Sequence, residues 1–319
     1  MPAMTLPIST VTVVGTGVIG RSWAHVFARA GCATRLYDRD PAQVKKALAL
    51  LATGLKRDVA DGFETAANAA ACVACVSAHA ELWEALGGAG YVQESGPEEL
   101  AKKRAIYADL DRLADSGAIL ASSTSAMDMT EIAAGLPGAA RCIVAHPVNP
   151  PHVVPVVEVL PGKATDPEVV SRTTAFLRAV GQTPVLLRRY APGFLLNRMQ
   201  AALIREAIHL VEMGVADVDA VDAVIRDGLG LRWALMGPFG VANTNADGGV
   251  REYFLRYGKA YIELMSDLGP TPAFSPEQIE RWGQATDAMA GDIPRDRLHA
   301  WRDRLVRKIR RLKQDDPTG

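Results

Sequence analysis

Two residues sit oddly in the valine-rich stretch "VAHPVNPPHVVPVVEVL", which runs from Val144 to Leu160: His146 and Glu158. A glutamate in an apolar run is costly to bury without a partner. An imidazole supplies one, because a carboxylate beside it fixes the ring tautomer and stabilises the protonated form. Between the two lies a loop carrying Asn149 and a tandem proline, so the chain leaves one strand at His146 and enters another before Glu158. The pair therefore reads as a proton acceptor with an acidic helper, the equipment of general base catalysis.

A second constellation lies near the start. "VVGTGVIGRSWA" spaces Gly15, Gly17 and Gly20 as G-x-G-x-x-G ahead of a helix, with Val18 and Ile19 inside the motif as further candidate cofactor contacts. The first glycine permits the tight turn, the second lets the backbone approach a pyrophosphate, and the third lets helix and strand pack closely. The helix N-terminus offers free N–H groups and partial positive charge to phosphates. Asp38 ends the next strand, where a carboxylate accepts hydrogen bonds from ribose hydroxyls and repels a 2′-phosphate. NAD is favoured over NADP.

Elements must carry these residues to one place. "VTVV" (11–14) is a strand, 20–30 a helix closed by Gly31, "ATRLY" (33–37) a strand, and Pro41 opens a helix to about Ala60. Further strands are expected at 71–76, 89–94, 117–123 and 141–146, with helices around 79–86, 98–115 and 128–135 between them. A helix over 167–180 and a strand over 183–189 complete the alternation. Strands alternating with helices imply a Rossmann-like, doubly wound, mostly parallel α/β sheet. Such a sheet holds ligands at its carboxyl edge, where the loop after His146 would lie. From Phe194 the pattern becomes all-helical, so the expected domains are 1–190, dinucleotide-binding, and 191–319, helical. In the tail "LHAWRDRLVRKIRRLK", Leu298, Trp301, Leu305, Ile309 and Leu312 share one face, as a terminal helix packed on its domain would require.

Bulk properties exclude several classes. The 319 residues carry a formal net charge of −1, which gives no reason to expect nucleic acid or a membrane surface as partner. No apolar run approaches the ~20 residues that span a bilayer, and "MPAMTLPIST" does not read as a leader, so the cytoplasm is the expected compartment. The four cysteines make no disulfide framework, and "CVAC" (72–75) reads as small apolar residues in a strand rather than a metal site.

"GTGVIGRSWA", "SSTSAM", "IVAHPVNPP", "GFLLNR", "DGLGLRWALMGP" and "WRDRLVRKIRRLK" together resemble the 3-hydroxyacyl-CoA dehydrogenase superfamily, in its lambda-crystallin and L-gulonate 3-dehydrogenase branch, over nearly the whole chain. The resemblance implies that Ser125 hydrogen-bonds the substrate hydroxyl, His146 is the general base, Glu158 orients it, and Asn197 positions substrate and catalytic groups. It implies that Asn149 contacts the nicotinamide side of NAD and that Glu98 and Lys103 lie near the cofactor. It also implies a helical domain that forms a homodimer and an active site between the two domains.

The superfamily takes acyl-CoA thioesters or small free acids. Arg232 in "GLGLRWAL" resembles an arginine of the free-acid branch, and a guanidinium clamps a carboxylate with two parallel hydrogen bonds. "HPVNPP" replaces the "HFFNPV" of the CoA enzymes, and a charged helix replaces their glycine- and tyrosine-rich C-terminus. His152 stands where the branch has a tyrosine, and residues 237–249 depart from it. The reading is an NAD-dependent dehydrogenase of a small, L-gulonate-like 3-hydroxy acid. Its rivals are an acyl-CoA enzyme, a non-catalytic NAD-binding crystallin, and the lysine-based 3-hydroxyisobutyrate type, against which "GFLLNR" offers no lysine after Asn197.

Overall fold

The computed structural model describes residues 6–315. The first five residues of "MPAMTLPIST", read above for a leader, lie outside the described residues. The chain divides into two compact units between Leu195 and Leu196, a few residues past the expected break.

The first unit is built around one eight-stranded sheet of order β3-β2-β1-β4-β5-β6-β7-β8. Its strands are β1 (Thr10–Val14), β2 (Ala33–Tyr37), β3 (Val76–Ala78), β4 (Tyr91–Glu94), β5 (Ile119–Ser122), β6 (Cys142–Pro147), β7 (Val156–Pro161) and β8 (Thr183–Leu186). The helices between them are α1 (Val18–Arg29), α2 (Pro41–Ala60), α3 (Ala66–Ala74), α4 (Leu82–Leu86), α5 (Leu100–Leu113), α6 (Met129–Ile132) and α7 (Pro167–Ala179). Wherever a helix joins two neighbouring strands, they run parallel. Between β6 and β7 there is only a loop, so the chain turns straight back and the pair is antiparallel.

Local chemistry sets the boundaries. Gly31, at φ +85°, ends α1: its N–H donates to the Ala28 carbonyl at 2.9 Å, and the next N–H, of Cys32, to Phe27 at 3.0 Å. Asp40 caps α2 by accepting from Ala42 N–H at 2.9 Å, with Pro41 in the first turn. The expected strand at 71–76 is instead mostly helix. Alanine is the best helix former, and Thr65 caps the run by accepting from Asn68 N–H at 3.1 Å. Cys72 lies inside α3 and Cys75 at its end, not in a strand.

Alternate strand residues fill two layers. Val13, Tyr91, Ile119 and Ile143 pack on one face with Trp23, Phe27 and Phe176. Val14, Val92, Leu120 and Val144 pack on the other with Tyr107, Leu110 and Phe194. Burial on both faces explains why these strands read as continuous apolar runs.

The second unit is helical: α8 (Leu196–Glu212), α9 (Val218–Ala223), α10 (Gly230–Trp233), α11 (Pro238–Thr244), α12 (Gly249–Asp267), α13 (Pro276–Ala290) and α14 (Arg295–Asp315), with a π-helical stretch at Val224–Leu229. Many of its apolar side chains are exposed, Leu255 at 88% and Phe239 at 75% among them. The tail forms the expected helix, but Trp301, Ile309 and Leu312 are exposed, so its apolar stripe is not packed away as the sequence suggested. Among the described residues no helix is long and apolar enough to cross a membrane.

Candidate functional site

The strand order reverses between β1 and β4, and the turns that follow these two strands form one floor. Gly15 has φ +89°, and a Cβ there would stand 2.8 Å from the Ser95 carbonyl carbon. A Cβ on Gly20 would stand 1.8 Å from the Gly15 oxygen, so the third glycine sets the approach of α1 to β1. Gly17 differs: a Cβ there meets nothing, and no side chain caps the α1 N-terminus it precedes, where Val18 and Ile19 begin the helix. A cleft of about 850 Å³ opens above this floor, lined by Gly15, Gly17, Asp38, Tyr37, Leu82 and Trp83 among others.

Asp38 stands at the end of β2. Its Oδ2 accepts from Thr16 N–H at 2.7 Å and from the Thr16 hydroxyl at 3.2 Å, and its Oδ1 from Asp40 N–H at 3.1 Å. The carboxylate is thereby fixed at the cleft wall. A floor without side chains, an uncapped helix start and a pinned carboxylate are what a dinucleotide needs, so these residues fit NAD. Tyr37, Leu82 and Trp83, which sequence reasoning did not single out, add an apolar wall.

At the far end of the same sheet edge, β6 and β7 place His146 and Glu158 opposite each other in register. His146 Nδ1 lies 2.8 Å from Glu158 Oε2, and both side chains are buried. The other Glu158 oxygen accepts from Leu195 N–H at 2.7 Å. Phe194, in the left-handed region at φ 51°, packs its ring edge-on to His146 with centroids 5.6 Å apart. The last residues of the first unit thus brace the pair. Nothing in the sequence marked Phe194 or Leu195 for this, because the bond uses a backbone N–H. Asn149 is exposed in the loop after β6, and the Asn149–Pro150 peptide is cis.

Ser125 follows β5, the parallel neighbour of β6. Its N–H donates to Glu98 Oε1 at 2.8 Å, and its hydroxyl lies 3.3 Å from the same oxygen. The Thr124 hydroxyl donates there too, at 2.6 Å. Burial alone would push the Glu98 carboxyl up, but the bond from Thr124, the Lys103 charge and the bond from Ser125 outweigh it and hold it below the ordinary carboxylate value. Lys103, expected near the cofactor, is buried with its ammonium turned to Glu94 and Glu98 at 3.0 and 3.3 Å. Glu94 is the residue the sequence reading passed over. Its signal, a lone acid ending the buried strand "YVQE", is the same oddity that marked Glu158.

Asn197 and Arg232 belong to the second unit, near the start of α8 and in α10 respectively. Arg232 is exposed and within electrostatic reach of Tyr261, whose hydroxyl shares a 2.7 Å hydrogen bond with that of Tyr253. No group of His, Cys, Asp or Glu among the described residues is arranged to hold a metal ion.

The chain is similar to known proteins along its length. The model of the 3-hydroxyacyl-CoA dehydrogenase NAD-binding domain matches residues 10–190, and that of the C-terminal domain matches residues 193–282. A lambda-crystallin homolog of Bos taurus is 42% identical over 313 residues, covering 96% of each chain. The L-carnitine dehydrogenase of Oceanobacillus iheyensis is 32% identical over 308 residues, covering 96% of this chain and 98% of its own. The solved structure of an NAD-dependent dismutase, 5-formyl-3-hydroxy-2-methylpyridine 4-carboxylic acid 5-dehydrogenase, superposes with a TM-score of 0.80 at 28% identity, covering 97% of this chain and 99% of that one. With the dinucleotide cleft and these matches in both units, the chain is an NAD-dependent oxidoreductase of the 3-hydroxyacyl-CoA dehydrogenase family.

Proposed function

We propose that this protein oxidises the 3-hydroxyl of a small free 3-hydroxy acid of the L-gulonate type. The observation that carries the reading is the buried His146–Glu158 pair, 2.8 Å apart at the carboxyl edge of an NAD-binding sheet. With Nδ1 engaged by Glu158, His146 keeps Nε2 to take the hydroxyl proton. NAD, when bound, supplies the hydride acceptor. Ser125 holds the substrate oxygen by a hydrogen bond, a role the family resemblance also gives to Asn197. Glu158 stabilises the imidazolium once the proton has moved, and Leu195 N–H keeps that carboxylate in place. Proton removal of this kind is typically worth about 10²–10⁴-fold in rate.

Arg232 favours a free carboxylate, because a thioester offers no anion for a guanidinium to clamp. The lambda-crystallin and L-carnitine dehydrogenase relatives support a small substrate, and L-carnitine is itself a free 3-hydroxy acid. The exposed apolar side chains of the helical unit support a homodimer. The test is an NAD-reduction screen over L-gulonate, L-carnitine, 3-hydroxybutyrate and 3-hydroxybutyryl-CoA. The reading expects turnover on a free acid to exceed that on the thioester; preference for the thioester overturns it.

A further inference from the structure

Behind Ser125 lies a run of charges joined in series by ion pairs. Glu94 is fully buried at the end of β4, and Lys103 in α5 is 1% exposed. Lys103 Nζ lies 3.0 and 3.1 Å from the two Glu94 oxygens and 3.3 Å from Glu98 Oε2. The Ser122 hydroxyl and Gly96 N–H each donate to Glu94 at 2.6 Å. Glu98 alone of the three reaches the surface, its side chain 41% exposed, and its other oxygen gathers Thr124 and Ser125. The Lys103 ammonium is turned to the two carboxylates and lies 3.5 Å from the Gly96 carbonyl oxygen. Breaking such a pair by removing one partner strands a charge, whereas neutralising both is far milder.

We infer that Glu94 and Lys103 are positioning residues: Glu94 fixes Lys103, Lys103 fixes Glu98, and Glu98 holds the Ser125 turn in the conformation that meets the substrate hydroxyl. This inference rests on the reading of Ser125 as a substrate contact given under the proposed function. It assigns Lys103 an action through Glu98 rather than on the cofactor. It also explains why an expensive buried ion pair stands behind a serine: the ammonium fixes Glu98 from the side opposite Ser125, so the carboxylate cannot swing away.

The experiment compares Lys103→Met, the neutral pair Lys103→Met/Glu94→Gln, Glu98→Gln and Ser125→Ala in the full chain. The measurements are melting temperature, hydrogen exchange of the segment 122–128, NADH affinity by fluorescence, and KM and kcat on the best acid of the screen. Lys103→Met is expected to melt well below the parent, and the neutral pair to regain most of that loss. In the neutral pair the Thr124–Met127 amides should still exchange about tenfold faster than in the parent. KM for the acid should rise about tenfold, with NADH affinity within about threefold. Glu98→Gln, which leaves the buried pair intact, should reproduce those exchange and KM effects. A neutral pair that melts like the parent and keeps parental exchange and KM would overturn the inference, leaving Lys103 and Glu94 a support of the fold alone. So would parental exchange and KM in Glu98→Gln, or NADH affinity falling as far as KM rises while exchange stays parental. If Ser125→Ala keeps parental KM and kcat, the reading of Ser125 itself fails; the exchange measurements still decide whether the charged run fixes its turn.

Discussion

His146 and Glu158 are cross-strand neighbours, paired residue to residue where β6 and β7 run antiparallel, with Nδ1 and Oε2 2.8 Å apart. Side chains opposite each other on one face of an antiparallel pair are held at contact distance by the backbone itself. A loop in place of a helix after β6 is what makes this pairing antiparallel. The geometry of the pair is therefore set by two rigid strands and not by a flexible loop.

The two glycines of the cofactor floor should fail in different ways. Gly20→Ala places a Cβ against the Gly15 oxygen, so the corner must shift, at a cost of about 1–3 kcal/mol or more. Gly17→Val places its side chain in open space above the floor. That variant should melt like the parent and bind NADH at least about tenfold more weakly. Melting curves with NADH titrations separate the two outcomes, and a stable Gly20→Ala with parental affinity would contradict the packing argument.

Asp38→Ala should raise the Kd for NAD about 10–100-fold, since hydrogen bonds to a charged group are worth about 1.5–3 kcal/mol. Its effect on NADP should be smaller, because the carboxylate also repels the 2′-phosphate. Paired titrations with both cofactors measure the ratio; an unchanged ratio would remove Asp38 from cofactor choice.

Arg232→Leu should raise KM at least about tenfold for charged hydroxy acids and little for an uncharged analogue. Steady-state kinetics on an acid and its amide make the comparison. Equal losses on both would defeat the carboxylate clamp.

Glu98 carries a carboxyl held below its ordinary value by its hydrogen bonds and by Lys103. Its contribution to stability is present above the unfolded value of about 4.3 and is lost as pH falls through the lower folded value. The difference in melting temperature between the parent and Glu98→Gln should therefore shrink as pH drops below about 4. A difference independent of pH would show that Glu98 gains nothing from its charge.

The cysteines give an independent check on packing. Burial pushes the Cys32 and Cys142 thiols up to about 12, and Cys72 is raised too, while Cys75 is half-buried at the end of α3. Only thiolates alkylate readily. Iodoacetamide at pH 8 should label Cys75 in the native protein and all four cysteines after denaturation, read by peptide mass spectrometry.

Much of the first unit was legible in the sequence because its signals are local. The β-branched run before Gly15, Pro41 at the start of α2 and Gly31 after α1 each state their structure within a few residues. His146 and Glu158 were legible because each is chemically out of place in an apolar strand. Three features were not. Residues 71–76 read as a strand by their valines and cysteines, whereas helix propensity and the Thr65 cap make 66–74 a helix. The Glu94–Lys103–Glu98 series spans two elements, and only tertiary packing turns the lysine inward. Leu195 acts through its backbone, which no side-chain pattern reveals. In the second unit the apolar stripe of α14 was visible, but periodicity records which residues share a face and not what covers it.

The most direct test of the account is the turnover of His146→Gln on the acid identified by the screen, measured beside its NADH affinity. A glutamine keeps the size and polarity of the site but cannot accept the proton. In this variant kcat should fall by about 10²–10⁴-fold while NADH affinity stays within a few-fold. Turnover near the parental value, or loss of cofactor binding together with activity, would contradict it.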